Sequence, residues 1–118
     1  MGEVLQDVRV EQPAPGTAVA VFVGQHDLVT RDAVSRLLFS LLEENELVVV
    51  DFSAAYFVDG AMLEVLHSVD REAERRGRTF RLQLGTAPIV RRAFEISGLL
   101  EVLDCAPTRE EALAGEAG

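Results

Sequence analysis

Lysine is missing from this 118-residue sequence; all eleven basic residues are arginine. No chemistry that needs a side-chain amine is open to it, which excludes Schiff bases and Walker-type phosphate loops. Tryptophan is missing too, and aromatics are few, with six phenylalanines and one tyrosine. Aliphatic side chains must therefore build the core. The one cysteine, Cys105, permits neither an internal disulfide nor a thiolate metal cluster. No apolar run approaches the roughly 20 residues of a membrane-spanning helix. The start, MGEVLQDVRVE, lacks signal-peptide character. The expected location is cytoplasmic, without membrane insertion. Positive charge is outweighed to a net −9. That balance argues against a nucleic-acid partner, because polyphosphate binding needs a basic footprint.

What is present reads as one α/β domain spanning 1–118, with its core at about 4–113 and a short flexible tail. VLQDVRV (4–10) alternates imperfectly and predicts a half-exposed first strand, followed by a proline turn at EQPAPG. TAVAVFVG (17–24) is a β-prone run suited to a strand covered on both faces. Thr30 is placed to cap a helix whose apolar stripe is Val34, Leu37, Leu38, Leu41 and Leu42, with Asn45 closing it in a left-handed conformation. LVVVDF (47–52) is the most apolar strand and is expected to be central. Behind FVDG, the spacing of Met62, Val65, Leu66, Val69 and Ala73 predicts a second helix stopped by Gly77. TFRLQLG (79–85) alternates, with Phe80, Leu82 and Leu84 inward and Arg81 and Gln83 outward. Pro88 opens a third helix that Gly98 stops; LEVLD (100–104) reads as the last strand, and TREEAL (108–113) as a capping box on a terminal helix. The order implies a mostly parallel sheet of four to five strands with about four helices.

Ligand or partner surface on such a sheet lies at the carboxyl ends of its strands. Here those ends are 24–27, 53–60 and 85–88. A catalytic constellation is not found there. His26 and His67 fall on different elements, and His67 has only Glu64 and Asp70 at helical spacing, short of a metal site. Ser53, His26 and Asp27 lack the glycine pattern of a nucleophile elbow. VVVDF loosely resembles the acidic strand end of a receiver domain, but the lysine that chemistry requires is absent, so Asp51 is read as a strand-edge or turn-directing group. The arginines of REAERRGR and IVRRAF read as a solvated face, and Cys105 as a packed thiol. No enzyme activity, cofactor or metal is expected.

Several stretches in order carry a family resemblance: GQHD (24–27), VVVDFSAAYFVD (48–59), LEVL (63–66) and GRTFRLQLGTAPIVRRAFEISGLLEVL (77–103). Together they resemble the STAS domain, the family of anti-sigma factor antagonists and of cytoplasmic domains of sulfate transporters. The resemblance implies a STAS-like fold whose rim around the second helix meets a partner, typically an anti-sigma factor with an ATP-binding kinase fold. It further implies a phosphorylated Ser or Thr directly after the aspartate at that helix start. The matching aspartate is Asp59, and the phosphoacceptor position is Gly60, which carries no hydroxyl. The next two positions are Ala61 and Met62. Met62 has two readings, a core side chain by its periodicity or added contact area on the rim.

The expected partner surface is Gly24, His26, Asp27, Ser53, Asp59, Gly60, Ala61 and Met62. The expected function is that of an antagonist-like interaction module, binding without phosphorylation control at the usual site. The alternative is an adaptor subunit of another STAS-pathway assembly, stressosome-like or lipid-transporting. A homodimer stays open.

Overall fold

A computed structural model describes residues 8–26, 31–58, 60–85, 88–106 and 108–114. Its elements are β1 (Val8–Ala14), β2 (Thr17–His26), α1 (Arg31–Glu44), β3 (Leu47–Val58), α2 (Gly60–Arg76), β4 (Thr79–Gln83), α3 (Pro88–Ser97), α4 (Leu99–Val102), β5 (Asp104–Ala106) and α5 (Arg109–Leu113). The five strands lie side by side in chain order, with β1 antiparallel to β2 and the remainder parallel.

That monotonic order decides the layering. Each parallel step advances the same way, and right-handed crossovers then put every connecting helix on one face. The larger core cluster forms there, built by Ala18, Ala20 and Phe22 of β2, Val48, Val50 and Phe52 of β3, and the apolar stripes of the helices. Phe52 stands at its centre, with ring centroids 5.1 Å from Phe22 and 5.7 Å from Phe94. The alternate residues Val19, Val21, Leu47 and Val49 face the other side, where they pack with Ala106 and Ala112 beneath α5. Both faces of β2 and β3 are thus covered, as their unbroken apolar runs require.

Four elements differ from what their sequence predicts. The first strand runs over Val8–Ala14, through the segment read as a proline turn, while residues 4–7 lie outside the described chain. Pro13 is tolerated because β1 is an edge strand and its pairing skips a residue between Glu11 and Ala14. Asn45 does not close α1 in a left-handed conformation, since no described residue other than glycine has positive φ. Its side chain does the closing instead. Asn45 Nδ2 donates to the Leu41 carbonyl at 3.1 Å, and its Oδ1 accepts from Gln12 at 3.3 Å. Thr30, its expected partner at the other end, lies outside the described residues.

Residues 100–104 read as strand in the sequence, but 100–102 belong to the one-turn helix α4, and the strand that follows is the short β5. The described residues carry five helices, in keeping with the expected α/β architecture. Arg81 and Gln83 do point away from the larger core, but they are buried, because α5 covers them. Other local signals hold. Gly77 (φ +71°) ends α2 in a Schellman arrangement, with Arg78 N–H on the Ala73 carbonyl and Gly77 N–H on that of Glu74. The Thr108 hydroxyl accepts the Glu111 amide at the start of α5.

Candidate functional site

The rim begins where β3 leaves regular pairing. Val21 is paired with Asp51 and Val23 with Ala54, so β3 carries one extra residue between them, and it gains another before Phe57. The first bulge reverses the alternation: Val48, Val50 and Phe52 face the helices, and beyond it Ala55 does, while Ser53 and Ala54 are exposed. Asp51 pins this bulge. Its Oδ1 accepts the Ser53 amide at 2.8 Å, the turn-directing role read from the sequence.

Next to it, Gly85 closes the end of β4. Its φ is +71°, and a Cβ there would lie 2.6 Å from the Ser53 Cα. Only glycine allows the two backbones this close. The β2–β3 register then sets Gly24 opposite Ala55 and His26 opposite Val58, so the ends of β2 and β3 finish together, two residues before α2 begins at Gly60. Gly24, His26, Ser53 and Gly60 thus belong to one edge of the sheet. Asp27 and Asp59 lie outside the described residues.

Gly60 is exposed, and a Cβ built on it meets nothing within 4 Å. Its φ is not in the left-handed region. Neither space nor backbone conformation demands glycine here. The first turn of α2 has no acidic residue, so the positive end of this 17-residue helix is not neutralised by its own side chains. Ala61 is half-buried. Met62 is fully buried within the larger core, which corrects its place among the contact residues. Its spacing to Val65, Leu66 and Val69 turns it inward with that stripe.

The remaining candidates do not converge. Among the described residues, no group of three or more His, Cys, Asp or Glu side chains could hold a metal ion. His67 is exposed on α2. Nearby Asp70 has its pKa raised, by burial first and then by Glu74. Burial, helped by Asp104, pushes the Cys105 thiol up to about 11, which keeps it protonated and unreactive at neutral pH. A cleft of about 320 Å³ between Leu84, Arg91, Leu100, Cys105 and Ala106 lies along the β5 side of the sheet. Arg75 and Arg76 both bond Glu72 on their own helix, as a solvated face does.

The monotonic strand order also lacks the reversal that opens a cofactor crevice in other parallel sheets. The sequence places Gly85 at the rim of the sheet but does not reveal its approach to Ser53; nor does any local signal reveal Arg109, whose partners Glu11 and Asp51 are 98 and 58 residues away.

A sequence profile of the STAS domain matches residues 10–112. No curated protein matches the chain. Among solved structures, an anti-sigma factor antagonist from Mycobacterium paratuberculosis superposes with a TM-score of 0.80 at 24% identity, covering 91% of this chain and 90% of that one. A putative anti-sigma factor antagonist from Thermotoga maritima gives 0.81 at 14% identity, over 92% and 93% of the two chains. The phosphorylated form of the Bacillus cell fate determinant SpoIIAA gives 0.70 at 21% identity, over 91% and 96%.

Proposed function

This chain belongs to the STAS domain family, and on that premise we propose that it is a non-enzymatic, cytoplasmic interaction module of the anti-sigma factor antagonist kind. Its rim of Gly24, His26, Asp27, Ser53, Asp59, Gly60 and Ala61 docks an anti-sigma factor of kinase-like fold. It binds without phosphorylation control at the helix start. The observation that carries this reading is Gly60, exposed in the first turn of α2 and without a hydroxyl to modify. The net charge of −9 further supports a protein rather than a nucleic-acid partner.

Open space around Gly60 makes the reading testable by restoring what is missing. Gly60→Ser should fold with its Tm nearly unchanged, within about 0.5 kcal/mol of the parent, as surface substitutions do. A tagged parent chain should recover a kinase-fold anti-sigma factor from its source cells whether or not ATP is supplied. Gly60→Ser should be phosphorylated by that partner and then released, because a phosphate brings about −1.5 to −2 charges into the contact. Gly60→Glu should bind weakly from the outset. If the parent chain recovers other STAS proteins or transport subunits and no anti-sigma factor, the adaptor reading replaces this one.

A further inference from the structure

The second face of the sheet carries an ionic staple that reaches the rim. Arg109, the first residue of α5, spans from the edge strand to the centre of the sheet. Its Nη1 donates to Glu11 on β1, and its Nη2 to Asp51 Oδ2 on β3 at 3.1 Å. Asp51 is the pivot. It is 4% exposed, with one oxygen on the arginine and the other on the Ser53 amide. Its neighbour across the β3–β4 register, Gln83, has a buried Oε1 with no partner among the described residues, so this face has acceptors to spare.

A second link keeps α5 in place. Arg81 donates from Nε to Asp104 on β5 at 2.7 Å, and from Nη1 to the Ala112 carbonyl at 3.1 Å. The helix is thus held to the sheet at its start by Arg109 and near its end by Arg81.

We propose that Arg109 is a positioning residue for the rim: by holding one oxygen of Asp51 it fixes the other on the Ser53 amide, and so sets the β3 bulge from the opposite face of the sheet. The physical reason is the burial of Asp51. Without its guanidinium the carboxylate would be a buried charge with one N–H partner among the described residues, and it must turn toward water. That turn weakens the bond that shapes the bulge. Ser53 already touches Gly85, so the disturbance passes to the end of β4. The staple makes α5, far from the partner surface in sequence, a determinant of how that surface is presented. That consequence for binding rests on the rim reading above; the geometric claim does not.

The experiment uses the whole chain alone and follows the Ser53 backbone amide by ¹⁵N–¹H NMR and hydrogen exchange. Glu11→Gln removes only the charge from the β1 arm of the staple, leaving the Asp51 arm intact, and serves as the reference. In Arg109→Ala the Ser53 resonance should move and its amide should exchange about tenfold faster than in the reference, as loss of a charge-assisted bond implies. Arg109→Lys keeps the charge but cannot fork to two carboxylates, and should fall between them; it decides the matter should Arg109→Ala not fold. Ser53 exchange in the arginine variants equal to that in Glu11→Gln would overturn the proposal. No partner is present in the tube, so such a failure leaves the docking reading untouched. Unchanged docking by Arg109→Ala with an altered Ser53 amide would instead remove Ser53 from the contact.

Discussion

At the residue scale, two glycines of the rim are there for opposite reasons. Gly85 is required, by its φ of +71° and by the 2.6 Å approach to the Ser53 Cα. Gly60 is optional, with open space around it. Gly85→Ala should therefore lose at least about 2 kcal/mol, combining left-handed strain with a backbone clash that no rotamer relieves. Denaturant unfolding against Gly60→Ala measures the contrast, since the latter should fall within about 1 kcal/mol of the parent and gain from a better helix former. Equal losses would mean that the close approach at Gly85 relaxes freely. The sequence distinguishes these two glycines poorly, because both simply follow a strand.

At the scale of elements, α5 shows how little intrinsic stability a segment needs when tertiary contacts hold it. Five residues are too few for a helix on its own. Thr108 supplies a cap, Ala112 is buried against the second core, and two arginines tie the helix to three strands. Thr108→Ala should cost about 1 kcal/mol, the usual loss for an N-cap. Exchange of the α5 amides should accelerate while those of α1 and α2 keep their protection, apart from the global shift. The capping box was legible at residues 108–111, and the helix stands where it predicts. The face it covers was not legible, so nothing local showed that the outward-pointing Arg81 and Gln83 would be buried. The misread end of β4–β5 has a similar origin: LEVL suits a strand or a buried helical turn equally, and Gly98 (φ +80°) starts a new turn instead of releasing the chain to the sheet.

At the scale of the whole molecule, charge and burial together shape the response to pH. Glu11 is held below the usual carboxylate range, chiefly by its bond to Arg109, and Glu72 by Arg75 and Arg76. A carboxylate depressed in the folded state contributes stability above its unfolded pKa and loses it as pH falls through the folded one. Stability should thus decline in acid below about pH 4.5, from the loss of these pairs. Cys105 acts in the other direction: burial lifts its thiol from an ordinary value near 9 to about 11. Its contribution is complete below pH 9 and disappears as pH rises toward 11. Urea unfolding across pH 8 to 11 should show a descending limb that Cys105→Ala flattens. A limb of the same slope in the variant would assign it to general repulsion within a chain of net charge −9.

Composition and periodicity alone determined the class of the fold, the order of most elements, and the inward stripes of α1 and α2. These are local properties, written in spacings of two and of three to four residues, and a single sequence displays them. Only the tertiary structure decided that Met62 belongs to the core, that α5 closes the second face, and that Asp51 joins Arg109 to Ser53. Each of those depends on which strands are neighbours and where a bulge reverses their alternation. Pairing between residues 58 or 98 positions apart leaves no period in the chain; it exists only once the sheet has brought them together.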